Sequence, residues 1–212
     1  MRKNDVNKQT IQSYNKIAKD YNQINYEPEF WLDEFKFFRS LLLDRKVIDI
    51  GCGTGRDAIL FTDHNFDYLG VDASAGMLKI AKQKVPKAKF LKSDFYHLEP
   101  NLKGFDGFWA AASLLHVPKN KIKPILKSLF KVIKEGGTGF ISLKPRKKKN
   151  IGEEMILDKR YNNIQRFFSY YGKSEFRKIL TDSGFKVVKI TEKLELPENK
   201  LWLCFFVVKN KK

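Results

Sequence analysis

Cysteine and proline are scarce in this chain, so neither residue type supplies a covalent or rigid framework. The 212 residues include two cysteines, Cys52 and Cys204, and seven prolines. Neither cysteine belongs to a CxxC pair or has a histidine at metal-ligand spacing. This argues against a disulfide scaffold and a structural zinc site, and we predict no metal site. A hydrophobic core must hold the chain, and 42% hydrophobic residues are typical of a globular domain.

Long apolar runs are missing as well. No stretch approaches the ~18 residues needed to cross a bilayer. The first residues, MRKNDVNKQT, lack the apolar segment of a signal peptide. We therefore expect a cytoplasmic protein without membrane contact.

Acidic residues are few compared with basic ones. The chain has 24 Asp and Glu against 41 Lys and Arg, a net charge of +17. Such a charge attracts phosphate polymers and anionic membranes. The basic residues are mostly lysines dispersed among many Asn, Ile and Phe, a composition that codon bias explains without selection for nucleic acid. We favour the compositional explanation.

Apolar spacing predicts two helices at the start of the chain. Residues three and four apart form one apolar face of the first helix: Ile11, Tyr14, Ile17, Ala18 and Tyr21. The second helix is predicted to have Pro28 in its first turn and an apolar stripe from Phe30 to Leu42.

Strand and helix patterns alternate beyond residue 45. Strands are predicted in KVIDI, YLGVD, KFLKSD, FDGFWAAA and GTGFISLK, with helices between them, one of which has Ser74 as its N-cap. A basic stretch from Pro145 to about Asn163 has no clear period. A helix capped by Ser174 and ended by Gly184 follows, and KVVKITEKL and LWLCFFVVK close as an antiparallel hairpin. The alternation predicts a parallel sheet covered on both faces.

The segment VIDIGCGTG, from Val47 to Gly55, is a buried strand that runs into three glycines and a helix. Glycines permit a sharp turn and the close approach of a ligand, and the helix start offers unpaired N–H groups. A dinucleotide fingerprint would need glycine where Arg56 stands, which argues against a nicotinamide or flavin cofactor. Asp72 follows at the end of the second strand, where a carboxylate accepts hydrogen bonds from a ribose diol. The ligand is therefore predicted to contain a nucleoside.

These motifs resemble class I S-adenosylmethionine-dependent methyltransferases, in which an acidic residue two positions before the first glycine leads into GxGxG. Asp49 is that residue here. The resemblance extends over nearly the whole chain, through SYNKIAKDY, LGVDAS with GMLKIAK, KSDFYHL, FDGFWAAASLLHVP, KEGGTGFISLK and the terminal helix and hairpin. It implies S-adenosylmethionine as cofactor, S-adenosylhomocysteine as product, and methyl transfer as activity.

The resemblance also implies a fold and its parts. The fold is α/β, a single Rossmann-like methyltransferase domain over residues 1–212, doubly wound around a seven-stranded, mostly parallel sheet whose last strand is antiparallel. Its parts are N-terminal lid helices (1–43), a cofactor-binding core (46–144), an insertion that completes the lid (145–172), and a terminal helix and hairpin (173–212).

The resemblance assigns cofactor contacts residue by residue. Asp94 would receive the adenine amine, or would simply cap the turn at Phe95. Phe95 and Met77 would flank the adenine ring, although Met77 fits a plain core position too. Asp49 would help hold the methionine moiety, or would bond only to the loop. The complete predicted set is Asp49, Gly51, Cys52, Gly53, Gly55, Asp72, Ala73, Met77, Asp94, Phe95, Ala110 and Ala111.

The sequence specifies the residues around the methyl acceptor less closely than those around the cofactor. His116, in SLLHVP after the fourth strand, is the candidate general base or else a loop-anchoring residue. The candidate substrate contacts, which could equally be core aromatics, are Tyr14, Tyr21, Tyr170 and Tyr171. The basic run would grip an anionic group or lie in solvent, and we favour solvent: Lys144, Arg146, Lys147, Lys148 and Lys149.

Three functions remain open. A small-molecule acceptor is favoured because nearly all of the chain belongs to the cofactor-binding fold and a compact lid. A tRNA or rRNA acceptor is favoured only by the charge, since AAASLLH stands where an Asn-Pro-Pro-Tyr type of signature would mark methylation of base amino groups. The third is a catalytically silent module that binds the cofactor or a partner chain. The sequence does not specify an oligomeric state.

Overall fold

A computed structural model describes residues 3–25, 27–98, 102–146, 151–197 and 199–210. Helices in these ranges are α1 (Lys3–Ile24), α2 (Leu32–Leu41), α3 (Arg56–Asp63), α4 (Ala75–Lys84), α5 (Lys119–Val132) and α6 (Lys173–Asp182). The strands are β1 (Lys46–Ile50), β2 (Asp67–Asp72), β3 (Lys89–Lys92), β4 (Phe105–Ala110), β5 (Ile133–Leu143), β6 (Glu153–Asp158), β7 (Ile164–Ser169), β8 (Phe185–Glu195) and β9 (Lys200–Lys209). No helix in the described ranges is long and apolar enough to cross a membrane.

Seven strands form one sheet in the order β3-β2-β1-β4-β5-β9-β8. Strands β1 to β5 pair in parallel, and β9 runs antiparallel to both of its neighbours, β5 and β8. The predicted seven-stranded sheet with an antiparallel last strand is confirmed. All six residues of β4 are buried, as expected of a central strand that helices cover on both faces.

Helix α2 lies in the hydrophobic core. Trp31, Phe35 and Phe38, at its start and along one face, are at most 1% exposed. The ring of Trp31 packs edge-on against Phe140 of β5, at 5.7 Å between ring centroids. The structure therefore separates α2 from the lid role predicted for residues 1–43. Pro28 lies in a turn before α2, not in its first turn as predicted.

The insertion contains a second, two-stranded antiparallel sheet that the sequence pattern did not predict. Strand β6 pairs with β7 from Glu153 opposite Ser169 to Asp158 opposite Ile164. Most of β6 is exposed or half-buried, so it carries no apolar alternation. Lys147, Lys148 and Lys149 of the predicted basic run lie outside the described residues, whereas Lys144 and Arg146 are described.

The structure tests the N-caps predicted for α4 and α6. The predicted cap of α4 is confirmed, because the Ser74 hydroxyl accepts the Met77 N–H at 3.1 Å. The predicted cap of α6 is wrong. This helix begins at Lys173, after Gly172, and the Glu175 carboxylate accepts the Gly172 N–H at 3.1 Å. Ser174 therefore lies inside the first turn, where the reach of Glu175 satisfies the helix start instead.

Candidate functional site

The glycine loop after β1 is tied to the end of β2. The N–H groups of Gly51 and Cys52 both donate to the Val71 carbonyl, at 2.7 and 3.0 Å. Gly51 has φ +78°, and a Cβ there would lie 2.5 Å from Ser113 Cβ, so the position requires glycine. Gly53 has φ +56°, and a Cβ there would meet nothing within 4 Å. The backbone at Gly53 therefore borders open space that a ligand can approach.

Asp72 holds this loop with both of its carboxylate oxygens. One oxygen accepts the Gly53 N–H at 2.9 Å and the other accepts the Ser74 N–H at 2.8 Å. Burial raises the pKa of Asp72, although these backbone donors oppose the shift. Each oxygen has a further lone pair, so the carboxylate can accept additional hydrogen bonds from a ligand.

Asp94 lies after β3 and organises a turn. Its Oδ1 accepts the N–H groups of Tyr96 and His97, both at 2.8 Å. The His97 ring also lies 3.0 Å from Oδ2 through Nδ1. The capping role that the sequence left open is thus present, and it holds the carboxylate at a fixed orientation beside Phe95.

These groups line one cleft. Predicted site residues among its walls are Tyr14, Tyr21, Gly51, Cys52, Gly53, Asp72, Ala73, Met77, Asp94, Phe95, Ala111 and His116. Wall residues that the sequence analysis did not assign to the site are Asn7, Thr10, Ile11, Asn25, Thr54, Arg56, Asp57, Ser74, Ala112 and Ser113. Proximity to the motifs could have pointed to Thr54, Arg56 and Ser113, whereas the α1 residues needed the tertiary structure.

Three predicted cofactor residues lie behind the cleft wall. Asp49 is 2% exposed and accepts the Tyr68 hydroxyl at 2.7 Å. Burial and the nearby Asp57 carboxylate raise its pKa. Gly55 caps α3 and faces Ala81, and Ala110 is fully buried in β4. These residues pack behind the glycine loop, on the side away from the cleft.

The structure places Tyr170 and Tyr171 in the core, one of the two alternatives that the sequence left open for them. Tyr170 is 1% exposed and its hydroxyl donates to Glu154 at 2.7 Å. The Tyr171 ring is fully buried and packs edge-on against Phe176. Neither residue lines the cleft, whereas Tyr14 and Tyr21 face it from α1.

His116 has hydrogen-bond partners at both ring nitrogens. Its Nδ1 lies 2.6 Å from the Phe167 carbonyl, which can only accept, so Nδ1 carries the proton. Its Nε2 lies 2.7 Å from the Tyr14 hydroxyl, and Arg166 Nη1 donates to the same hydroxyl at 2.8 Å. Burial and the Arg166 charge lower the pKa of His116 to about 3. The imidazole is therefore neutral at pH 7 and accepts the Tyr14 O–H.

Helix α1 contributes to the wall of the cleft and forms hydrogen bonds with the β6–β7 hairpin. The Ser13 hydroxyl donates to the Gln165 carbonyl at 2.5 Å, and the Thr10 hydroxyl accepts the Phe167 N–H at 3.2 Å. On its other side α1 meets α4, where Asn15 Oδ1 accepts the Ser74 hydroxyl and the Gly76 N–H, both at 2.9 Å.

A second cavity adjoins the cleft. The two share six wall residues, Tyr14, Tyr21, Asn25, Arg56, Ala112 and His116. The walls of the second cavity also include residues of the hairpin and of the loop between β8 and β9. The fold thus offers two adjoining chambers, one over the glycine loop and one beyond Tyr14 and His116.

Comparison with known proteins identifies the family. A family model described as a methyltransferase domain matches residues 47–137. YqeM of Bacillus subtilis is 34% identical over 101 residues, which are 43% of this chain and 39% of that protein. The carboxy-S-adenosyl-L-methionine synthase of Campylobacter hominis is 30% identical over 179 residues, 72% of this chain and 74% of that protein. The chain belongs to the class I S-adenosylmethionine-dependent methyltransferases.

The fold of a solved methyltransferase agrees with this membership. The Burkholderia thailandensis 1,6-didemethyltoxoflavin-N1-methyltransferase superposes with a TM-score of 0.75 at 15% identity, over 95% of this chain and 87% of that chain. Its crystal structure contains 1,6-didemethyltoxoflavin and S-adenosylhomocysteine.

S-adenosylmethionine is the cofactor of this methyltransferase family, and the cleft fits it. Asp72 and Asp94 offer carboxylate lone pairs, and the side of Gly53 is open. The Ser113 hydroxyl is buried in the wall and has no hydrogen-bond partner among the residues that the structure describes. Buried hydroxyls are rarely left unpaired, so this one points to a polar ligand group.

Proposed function

We propose that the protein transfers a methyl group from S-adenosylmethionine to a small-molecule acceptor. The observation that carries this proposal is that the glycine-loop cleft shares Tyr14, Ala112 and His116 with the wall of a second chamber. A donor and an acceptor held in adjoining chambers can meet at that junction. The bound small molecule of the Burkholderia relative supports an acceptor of this size class.

Different residues of the cleft bind different parts of the cofactor. In this proposal the ribose hydroxyls donate to Asp72, and the adenine amine donates to Asp94 while Phe95 and Met77 flank the ring. Gly51 and Gly53 approach the methionine moiety through their backbone, with Ser113 as an additional polar contact. The remaining predicted members are Cys52, Ala73 and Ala111, which pack around these groups.

Positioning accounts for most of the catalysis in this proposal. The cofactor supplies a methyl group already activated by its sulfonium, so the protein needs chiefly to align the acceptor and exclude water. Such alignment can be worth roughly 7–11 kcal/mol. Helix α1 and the β6–β7 hairpin exclude water by covering the junction of the chambers.

His116 acts through Tyr14 in this proposal. Because Nε2 already accepts the Tyr14 hydroxyl and burial keeps the imidazole neutral, an acceptor proton could reach His116 only by way of Tyr14. A histidine whose pKa is about 3 is a weak base at neutral pH. We therefore assign His116 as a positioning residue that orients the Tyr14 hydroxyl, in place of the general base predicted from the sequence.

Asp72→Asn tests the cofactor site. We expect the dissociation constant for S-adenosylhomocysteine to rise about 10- to 100-fold, because hydrogen bonds to a charged group are worth about 1.5–3 kcal/mol. Titration calorimetry gives this constant. Asp67→Asn, at the exposed opposite end of β2, is the matched control and should bind like the wild type. Equal affinity of the Asp72 variant and the wild type would remove the ribose assignment.

A second candidate function is formation of a carboxylated S-adenosylmethionine, as the name of the C. hominis relative describes. The alignment over 72% of this chain favours it. The carboxyl group must come from a donor substrate, so mass spectrometry of the nucleosides after incubation with a methyl acceptor or with a carboxyl donor separates the two functions. Methyl transfer yields S-adenosylhomocysteine and a methylated acceptor, whereas the second candidate yields a nucleoside heavier than S-adenosylmethionine.

A further inference from the structure

Two buried hydrogen-bond donors in the wall of the second chamber lack acceptors. Trp31 Nε1 and Arg166 Nε have no partner among the residues that the structure describes. Trp31 is fully buried and Arg166 is 3% exposed, and both side chains line this chamber. Indole and guanidinium N–H groups can only donate, so any partner that they bind in this chamber must supply acceptor atoms. Buried donors normally have partners, which points to a ligand that supplies oxygen atoms.

The chamber also has more positive than negative side chains. Its cationic wall residues are Arg56, Lys144, Arg160, Arg166 and Lys200, and its carboxylates are Glu27 and Glu195. Arg160 and Arg166 both bond to one carboxylate, that of Asp158. Although burial raises the pKa of Asp158, hydrogen bonds from Arg160 and the Arg166 charge lower it to about 2. Two guanidiniums on one carboxylate leave a positive charge beside the chamber.

Aromatic rings hold the Arg166 guanidinium in place. Its central carbon lies 5.3 Å from the ring centres of Tyr14, Tyr161 and Phe168. The Trp31 and Trp202 rings, 5.8 Å apart, add an apolar wall. A guanidinium that packing has already oriented loses little entropy when it binds a planar anion. The chamber therefore combines a fixed cation with an apolar surface.

We propose that the methyl acceptor is an organic anion, with a carboxylate or phosphate on an apolar body. Its anionic group binds Arg166, its oxygen atoms accept from Arg166 Nε and Trp31 Nε1, and its apolar body packs between the aromatic walls. This inference rests on the proposed methyl transfer, because it places the acceptor in the chamber that adjoins the cofactor cleft.

Calorimetry on protein saturated with S-adenosylhomocysteine tests the proposal. The probes are benzoate, phenyl phosphate and the uncharged benzamide. We expect at least one anion to bind about tenfold or more tightly than benzamide, as charge-assisted hydrogen bonds are about twice as strong as neutral ones. Tighter binding of benzoate identifies a carboxylate, and tighter binding of phenyl phosphate identifies a phosphate.

Two variants connect the binding to the named residues. Arg166→Met should weaken anion binding about tenfold or more while benzamide binding stays unchanged. Arg177→Met, the same substitution at an exposed position of α6, is the matched control. Trp31→Phe keeps an aromatic wall but removes the N–H, and should weaken the anions about three- to tenfold. If Arg166→Met fails to fold, Trp31→Phe and the comparison of probes on the wild type decide the question.

The outcomes separate this proposal from the proposed function. If S-adenosylhomocysteine binds but the anions bind no more tightly than benzamide, the anionic acceptor is wrong and methyl transfer stands. An anion that displaces S-adenosylhomocysteine occupies the cofactor cleft, which also overturns the proposal. If S-adenosylhomocysteine itself does not bind, the proposed function fails first.

Discussion

Both ring nitrogens of His116 lie within hydrogen-bond distance of a neighbour in the folded protein. The contribution of His116 to the free energy of unfolding therefore depends on pH. The folded pKa of about 3 lies below the value near 6.5 of an unfolded histidine. Between these two values the unfolded chain binds a proton that the folded chain does not. The full free energy of unfolding is therefore reached above about pH 6.5, and the His116 contribution is lost as the pH drops toward the folded pKa.

We expect His116 alone to cost the wild type about 2 kcal/mol of unfolding free energy between pH 7 and pH 5. The variant His116→Gln has no titrating imidazole and should lack this part of the pH dependence. Urea unfolding of both proteins at the two pH values measures it. Parallel losses in wild type and variant would show that His116 is protonated in the folded state.

Residues in motifs were predictable from the sequence, whereas residues brought in by packing were not. Asp72 and Asp94 follow strands at fixed spacing, so their place at the cleft could be predicted. Arg166 lies in the insertion, for which no strand was predicted, and its burial depends on Asp158 and three aromatic rings. Trp31 fits a core stripe, and only the tertiary structure shows that it also borders a cavity.

At the scale of elements, α1 and the β6–β7 hairpin meet beside the cleft. Hydrogen bonds join them through Ser13, Thr10 and the Tyr14–Arg166 pair. The Tyr21 ring also stacks on Tyr161, within a small apolar cluster separate from the main core. We expect the two elements to open together as a cover over the cleft. Ligand exchange requires such opening, because α1 contributes a wall of the cleft.

We expect S-adenosylhomocysteine to slow hydrogen exchange in residues 10–24 and 151–171 and to leave the seven-stranded sheet nearly unchanged. Asn15→Ala removes the acceptor that ties α1 to α4, so exchange in α1 should become faster without ligand. Gln12→Ala, at an exposed position of the same helix, is the control. Equal protection with and without ligand would exclude a closing cover and require a permanently open channel.

The elements that the sequence did not specify are those whose partners are polar or distant. The core strands were predictable because their apolar runs are buried on both faces. The hairpin was missed because β6 packs at a sheet edge with mixed exposure. The start of α6 was misplaced because Glu175, three residues beyond Gly172, satisfies the helix start in place of a serine.

For the molecule as a whole, the net charge is +17, and some of the lysines form ion pairs with acidic residues. Lys87 bonds to Asp63, Lys89 to Asp67, Lys123 to Asp182, and Lys173 to Glu192, each on a different part of the fold. Dispersed lysines bind polyanions without a defined register, because contacts to phosphate carry no sequence information. We therefore expect the protein to bind RNA only non-specifically.

We expect unmodified tRNA to bind weakly at about 50 mM salt, to be released by about 200 mM, and to receive no methyl group at either concentration. Filter retention of labelled tRNA measures binding, and transfer of label from S-adenosylmethionine measures methylation. Methylation of tRNA that persists at the higher salt would make RNA the acceptor and refute the small-molecule assignment.

The position of β9 has a consequence for synthesis of the protein on the ribosome. This strand joins β5 to β8 inside the sheet, yet it spans residues 200–209, after every other strand in the described ranges. A nascent chain that has emerged only as far as β8 therefore presents the unpaired edge of β5, whose Phe140, Ile141 and Leu143 are fully buried once β9 is in place. Unpaired edges with apolar side chains associate with other chains. We therefore expect the growing polypeptide to be prone to association until residue 209 has left the exit tunnel.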